Sequence, residues 1–150
     1  MAETAGKYNG TLERIAILDS ATYELVAFIT SLSDDLSVAM IDVSNADSAG
    51  HREILPGLIS ESHKVDGFVV RDEAGTLQNY DQLYAAAQAR TKLTIRRNIY
   101  TSAGIPNVGD TYYQRDVYIS SLSKTSEMEG AVKFSATLEV TGTPSTGVNA

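Results

Sequence analysis

The sequence predicts a mainly β fold, an antiparallel β-sandwich or open barrel with one flanking α-helix. Apolar and polar residues alternate, as in a half-buried strand, in several separate segments of the 150-residue chain. Helical spacing of apolar residues occurs in one segment, and no repeated strand-helix-strand pattern is present. Because parallel pairing needs such crossovers, we expect mostly antiparallel strands.

The clearest predicted strand is VKFSATLEV, residues 132–140. Its apolar residues, Val132, Phe134, Ala136 and Leu138, alternate with polar ones, so one face is expected to be buried and the other wet. Shorter segments of similar character predict further strands at residues 12–18, 23–29, 36–43, 63–70, 92–99 and 115–122. Residues 72–75 have the composition of a turn.

The predicted helix covers NYDQLYAAAQAR, residues 79–90. Tyr80, Leu83, Tyr84 and Ala87 stand at positions i, i+3, i+4 and i+7, which places them on one helical face. Asn79 is suited to the N-cap, and the alanines favour the helical state. We expect this amphipathic helix to lie against the sheet.

Composition disfavours several classes of function. Lys and Arg number 12 and Asp and Glu 19, so the formal charge is 12 − 19 = −7, which disfavours a protein that binds DNA tightly. The chain has no cysteine, so neither a disulfide framework nor a thiolate site is expected. It shows no secretory signal and no run of eighteen apolar residues, so we expect no membrane association.

The length is sufficient for one sizeable hydrophobic core. We therefore predict a single domain over residues 1–142. Residues 143–150 are mostly small and polar and offer little apolar area to bury, so we predict a flexible C-terminal tail.

A calcium loop is the first hypothesis for the polar stretch MIDVSNADSAGHREILPG, residues 40–57. With Asp42 as the first ligand, Glu53 falls at the twelfth position. The fifth position is then Ala46, which has no side-chain oxygen, and the sixth is Asp47, where a sharp turn requires glycine. We expect no calcium site.

Zinc and nucleophilic sites are also disfavoured. The two histidines, His51 and His63, are too few to complete a zinc site without cysteine. Ser60, His63 and Asp66 have the residue types of a catalytic triad, but residues three apart in a strand point to opposite faces. We expect surface polar residues there, and we predict no cofactor and no enzymatic activity.

Two pairs of like charges are interpreted as surface features. Asp34 and Asp35 are adjacent and are expected in a solvated turn, while Arg96 and Arg97 should point to opposite faces of a strand. Surface ion pairs are expected for these arginines. Aromatic residues near a core edge or an interface are expected at Tyr112, Tyr113 and Tyr118.

Two features are not explained by a self-contained monomer. The loop SNADSAGHRE, residues 44–53, is too long for a simple hairpin turn and is rich in donors and acceptors. The polar faces of several strands carry small hydroxyls in place of long charged side chains, as in Ser120, Ser121, Ser123, Ser135 and Thr137. Such a face is wet without being basic.

These features lie in stretches that together carry a family resemblance. The stretches are GKY near the start, MIDVSNADSAGHREILPGLIS followed by VDGFV, DQLYAAAQA, YYQRDVYISSLS and VKFSATLEVTG. In this order they resemble the major tail tube protein of long-tailed bacteriophages, over most of residues 6–142. One departure is His51, where the family would have an aromatic residue such as tryptophan before the Arg-Glu pair.

The resemblance implies a structural virion protein. Its subunits would form hexameric rings that stack into a hollow tube, through which genomic DNA passes during ejection without specific binding. The expected partners are other copies of the chain and other tail proteins at the tube ends. Assembly is expected in the host cytoplasm, and the final location is the virion tail.

We predict two sets of site residues. An inter-subunit loop is expected to comprise Ser44, Asn45, Asp47, Ser48, Gly50, His51, Arg52 and Glu53. Residues opposite the apolar strand faces are expected to line the lumen, namely Asp35, Ser37, Lys64, Asp66, Lys133, Ser135, Thr137 and Glu139.

Two alternatives remain open from the sequence. The chain could be the inner tube protein of a contractile tail or tail-like injection particle. A different class of function is a monomeric ligand-binding β-sandwich, which the absence of tryptophan makes less favourable because an exposed aromatic platform is expected there.

Overall fold

The computed structural model describes residues 12–19, 22–26, 29–69, 79–101 and 105–150. In these residues the elements follow in the order β1 (Glu13–Asp19), β2 (Thr22–Leu25), β3 (Ile29–Asp42), β4 (Ile54–Phe68), α1 (Tyr80–Ala89), β5 (Leu93–Ile99), β6 (Thr111–Thr125) and β7 (Lys133–Val148). The predicted mainly β fold with a flanking helix is confirmed. The GKY motif and the turn predicted at 72–75 lie outside the described residues.

All seven strands belong to one antiparallel sheet. Their order across the sheet is β2-β1-β5-β6-β7-β4-β3, so β2 and β3 are its edges. Within the described ranges these two edges are not paired with each other, so the sheet does not close.

The sheet folds back so that one face encloses the core. Arg97 Nη1 on β5 lies 3.1 Å from Asp34 Oδ1 on β3, although three strands separate β5 from β3 in the sheet. The same core-facing side carries a second ion pair, in which Arg115 Nε on β6 lies 2.9 Å from Glu61 Oε2 on β4, across the single intervening strand β7. One continuous sheet therefore provides both layers of the core.

The core consists of side chains that alternate along the strands. Ile15, Ile95 and Val117 are completely buried. Because these residues belong to β1, β5 and β6, the alternation seen in the sequence places one face of each strand in the core. The helix closes the core with Leu83, and Tyr80 packs near Phe134 with ring centroids 6.3 Å apart.

Irregularities allow β6 and β7 to serve both halves of the fold. The pairing of β6 with β7 shifts register between Ile119 and Ser121 and again between Gln114 and Asp116. Near the second shift, Gly142 has a φ of 74°, a left-handed conformation that favours glycine. Such bulges bend a strand and increase its twist, which suits strands that pass around the folded sheet.

The C-terminal segment differs from the flexible tail predicted for residues 143–150. β7 continues to Val148, which pairs with Thr111 at the start of β6. Asn149 and Asn98 then exchange side-chain hydrogen bonds of 3.0 and 2.8 Å. Small polar side chains bury little apolar area, but strand pairing uses backbone groups, so composition could not reveal this extension.

The helix has the N-cap that the sequence predicts. Asn79 Oδ1 accepts a hydrogen bond from Gln82 N at 3.3 Å, and Asn79 N donates to Gln82 Oε1 at 2.9 Å. This reciprocal capping box satisfies two groups at the helix start. In the part of the chain that the structure describes, no helix has the length and apolar character needed to cross a membrane.

Candidate functional site

Residues 36–61 form a two-stranded arm that extends beyond the rest of the sheet. β4 pairs with β7 only from Ser62 to Phe68, whereas β3 and β4 stay paired out to Asp42 and Ile54. Six large apolar side chains of the arm are more than half exposed: Leu36, Met40, Ile41, Leu55, Leu58 and Ile59. Exposed apolar groups clustered in this way are typical of a protein-protein contact surface.

Asn45 caps a single 3₁₀ turn, Ala46–Ser48, at the tip of the arm. Asn45 Oδ1 accepts a hydrogen bond from Asp47 N at 2.8 Å, and Asn45 N donates to Ser48 Oγ at 3.0 Å. Gly50 then reverses the chain with a φ of 81°, which a residue with a side chain rarely adopts. The tip is therefore a folded structure with its own hydrogen bonds.

The base of this loop is closed by Ser44 and Glu53. Glu53 N donates to Ser44 Oγ at 2.7 Å, and Ser44 N donates to Asp42 Oδ1 at 2.9 Å. The hydrogen bonds from Ser44 hold the pKa of Asp42 below its usual value. The carboxylate that the calcium hypothesis would use as first ligand is thus engaged by the loop itself.

The predicted inter-subunit residues fall into two groups. Ser44, Asn45, Ser48 and Gly50 shape the loop, and Ser48 is buried. The others are exposed at the tip: Asp47, His51, Arg52 and Glu53. These exposed residues are available to contact a partner.

A buried ionic network at the root of the arm was missed by the sequence analysis. His63, predicted as a surface residue, is only 2% exposed. Its Nε2 lies 3.1 Å from Glu61 Oε1, and Glu61 Oε2 accepts a hydrogen bond of 2.9 Å from Arg115 Nε. Glu61 and His63 are two residues apart on β4, whereas Arg115 is 54 positions from Glu61, and these two meet because β6 and β4 both pair with β7.

A second part of the network joins β5 to its neighbour β1 and to the edge strand β3. Arg97 forms an ion pair with Glu13 on β1, and its Nη1 contacts Asp34 on β3 without a hydrogen bond. The Arg97 side chain is 13% exposed. This arginine therefore links the two layers of the core.

The network also contains a possible set of metal ligands. Ligand atoms of Asp34, Glu61 and His63 lie within 4.8 Å of one another. However, Arg97 contacts the Asp34 carboxylate and Arg115 binds the Glu61 carboxylate. Two adjacent guanidinium groups already compensate these carboxylates and repel a divalent cation, so the donor set favours an ionic network over a metal site.

His63 should make the stability of the subunit depend on pH. Burial lowers its pKa, against the opposing effect of Glu61 and Asp34, so the folded state favours neutral imidazole. In the unfolded chain, the pKa returns to about 6.5. Unfolded chains then bind more protons below that pH, and the free energy of unfolding falls as the pH decreases towards the folded-state pKa.

We expect His63→Gln to reduce the loss of subunit stability that occurs as the pH falls. The measurement is urea unfolding of both proteins at about pH 7.5 and about pH 5.5, on either side of the ordinary histidine pKa. The wild type should lose more stability between these two conditions than the variant, whose amide does not titrate. Equal losses would show that other groups account for the acid sensitivity.

The predicted lumen residues all lie on the face of the sheet opposite the core. Lys64 is directly paired with Thr137, and Asp66 with Ser135, so these side chains share one face. The remaining members are in phase with them along the same strands: Asp35, Ser37, Lys133 and Glu139. The structure brings the eight residues together on one surface.

The adjacent like charges separate as the period of a strand requires. Asp34 and Asp35 lie within β3 and not in a turn, with Asp34 directed to the ionic network. Arg97 is directed to the same network, so the prediction of a surface ion pair is wrong for this arginine. Arg96 lies on the opposite face, as predicted.

Comparison with known proteins identifies the relatives of this fold. A family model described as phage tail tube protein matches residues 10–146. No curated protein matches the chain in sequence.

Three solved structures are similar to this chain over almost its whole length. The tail of an empty gene transfer agent particle, refined with C6 symmetry, has a TM-score of 0.73 and 21% identity, covering 96% of this chain and 100% of that one. The SPP1 tail tube has a TM-score of 0.68 and 20% identity, covering 95% of this chain and 80% of that one. A sheath-tube complex of an extracellular contractile injection system has a TM-score of 0.67 and 14% identity, covering 95% of this chain and 92% of that one.

Proposed function

Because the chain belongs to the phage tail tube protein family, we propose that six copies form a ring and that rings stack into a hollow tail tube, through which genomic DNA passes during ejection. The six-fold ring is supported by the C6 symmetry of the similar gene transfer agent tail. The role is structural, without catalysis. The family assignment favours this role over a monomeric ligand-binding sandwich.

Two open backbone edges carry the proposal. β6 pairs with β5 only from Tyr113 to Val117, so in the described residues its later part, 118–125, has no neighbour on that side. Among the described strands, β3 has a neighbour only on the side of β4, so its other edge is open. The strands between these edges form a strip, defined here as residues 118–125 of β6, 133–139 of β7, 62–68 of β4 and 29–35 of β3.

Pairing of β3 in one copy with β6 in the next would close six strips into a continuous barrel. Closure satisfies backbone groups that each subunit alone leaves to water, and it removes edges that promote disordered association. A heterologous contact of this kind generates a ring when its rotation closes. A durable contact should bury more than roughly 1,000 Å².

The outer face of the strip would line the bore. It contains seven of the eight predicted lumen residues, because the eighth, Ser37, lies in the arm. Among these seven, Lys64 and Lys133 are positive and Asp35, Asp66 and Glu139 are negative, so their net charge is 2 − 3 = −1. The other members of the set are Ser and Thr. A hydroxyl-rich, slightly acidic wall binds the phosphates of DNA only weakly, which suits the passage of DNA through the bore.

The arm would contact a neighbouring subunit in the same or the next ring. Burial of its exposed apolar residues would stabilise this contact. The exposed charges at the tip, Asp47, Arg52 and Glu53, would form polar contacts at its edge. The ionic network fixes the root of the arm, which keeps the entropic cost of docking low.

We expect the purified protein to form tubes visible by negative-stain electron microscopy, with the strip facing inwards. Because the chain has no cysteine, single cysteines report exposure without background. Glu139→Cys on the strip should react with a bulky maleimide in free subunits and be protected in tubes. Gln88→Cys on α1, which packs on the other side of the core, should react in both.

Two results would contradict the proposal in different ways. A protein that stays monomeric at high concentration would argue against the tube itself. Tubes in which Glu139→Cys reacts as fast as Gln88→Cys would argue only against the assignment of the strip to the bore.

A further inference from the structure

Arg96 lies over two tyrosine rings on the face opposite the core. Its Cζ lies 4.2 Å from the ring centroid of Tyr23 on β2 and 4.2 Å from that of Tyr112 on β6. Gln114 Oε1 accepts hydrogen bonds from Arg96 Nε at 3.1 Å and from the Tyr23 hydroxyl at 3.3 Å. The two cation-π contacts and the hydrogen bond at Nε hold the guanidinium in place before any partner arrives.

Gly147 makes room for one side of this clamp. A Cβ added at Gly147 would lie 2.4 Å from Tyr112 Cζ and 2.4 Å from its hydroxyl oxygen. The ring of Tyr112 therefore lies directly over the backbone of β7. A methyl group at this position would displace the ring from Arg96, since the affected atoms are at the far end of a side chain.

The clamp leaves the binding end of Arg96 unused. Among the described residues, only Gln114 is hydrogen-bonded to Arg96, through Nε, so the terminal nitrogens Nη1 and Nη2 have no acceptor. Two parallel N–H groups in a fixed plane match the geometry of a carboxylate. Held in this way, the group loses little side-chain entropy when it binds.

Location favours a protein carboxylate over the phosphate of DNA. Arg96 lies on the layer formed by β2, β1 and β5, and the core separates this layer from the strip. The outer faces of the two layers point in opposite directions, so Arg96 faces away from the proposed bore. The chain carries a charge of −7, and the tip of its arm exposes two carboxylates that form no ion pair among the described residues, Asp47 and Glu53.

We propose that Arg96, clamped by Tyr23 and Tyr112, binds a carboxylate of Asp47 or Glu53 on the arm tip of a neighbouring copy of this chain. This inference rests on the proposed tube and names one polar contact that holds neighbouring subunits together.

A double-mutant cycle tests the contact. We expect Arg96→Gln to raise the subunit concentration needed for tube formation by about tenfold, equivalent to about 1.4 kcal/mol. Asp47→Asn combined with Glu53→Gln should have a similar effect, and all three changes together should cost little more than either set. Gly147→Ala should also weaken assembly, because it displaces Tyr112 while Arg96 remains.

Arg14→Gln is the matched control. Arg14 is exposed on β1, on the same face as Arg96, and its replacement removes the same charge without touching the clamp. It should change the assembly concentration by less than about twofold, because charges without a direct contact are screened by salt. Circular dichroism of each free subunit verifies that the variants fold.

Any other result of these experiments would contradict the proposed contact between Arg96 and the arm tip. If the wild type forms tubes and Arg96→Gln forms them equally well, the carboxylate site is wrong and the tube proposal stands. Additive effects in the cycle would show that Arg96 and the tip act separately. Shifts of the Arg96 side-chain signals on titration of free subunits with duplex DNA would assign the site to nucleic-acid phosphate. If the wild type forms no tubes, the proposed function fails as well.

Discussion

Arg115→Met should destabilise the subunit by about 3 kcal/mol, the lower end of the cost of removing one partner from a buried ion pair. Arg115 Nε binds Glu61 Oε2 at 2.9 Å, and both side chains are only 12% exposed. Its Nη1 also donates to Ser145 O at 2.8 Å. The methionine can fill much of the volume, but it leaves the Glu61 carboxylate and the Ser145 carbonyl without this donor.

Urea unfolding of the free subunit measures this cost, and Arg52→Met provides the control. Arg52 Nε lies 3.8 Å from Asp42 Oδ2, but the two side chains are 71% and 59% exposed. Loss of this pair should leave the free energy of unfolding almost unchanged, because water already solvates both charges. Equal effects at the two sites would contradict the importance assigned to burial.

A second variant separates the loss of a contact from the burial of an unpaired charge. Arg115→Met combined with Glu61→Leu should be less destabilising than the sum of the single changes, because neither charge remains alone. An additive result would show that Arg115 and Glu61 do not interact strongly in solution.

Changes in the arm should prevent tube formation while leaving the subunit folded. Leu58 is 87% exposed in the subunit, so Leu58→Asp removes almost no contact within one copy. Its free energy of unfolding should stay within about 0.5 kcal/mol of the wild type. In a tube the same change would place a charge in an apolar contact, so the concentration needed for assembly should rise by at least about a hundredfold.

The tip is tested by replacing residues 44–52 with Asn-Gly. The arm strands are still paired at Asp42 and Ile54, and Val43 N donates to Glu53 O at 3.0 Å, so a short turn can connect them. We expect electron micrographs to show few rings and no long tubes. Unchanged ring formation and tube length would contradict the assignment of the tip as an inter-subunit contact.

Tyr84→Asp is the matched control for the arm. Tyr84 is a large apolar residue of α1 with 48% exposure, and it lies on the helix that covers the other side of the core. Its replacement should leave tube formation unchanged if the effect at Leu58 depends on the arm. Similar losses for both variants would indicate a general effect of added negative charge.

Local patterns in the sequence were sufficient for most elements. Residues 132–140 alternate because a strand with one buried face has a period of two, and the structure places residues 133–140 of this segment in β7. Asn79 and the apolar spacing after it predict α1, which begins at Tyr80. The same period of two explains why Arg96 and Arg97 point to opposite faces of β5. Each of these inferences depends only on residues close together in the chain.

The sequence by itself therefore determined the type of most elements, the apolar face of most strands, the polar character of the arm tip and the resemblance to a tail tube family. The tertiary structure alone decided that His63 is buried, that Arg97 and Arg115 hold carboxylates across the folded sheet, and that Tyr112 lies over Gly147 to clamp Arg96. The physical reason is distance along the chain. Arg115 and Glu61 are separated by 54 positions, and no local period encodes which charge a folded sheet will bring opposite another.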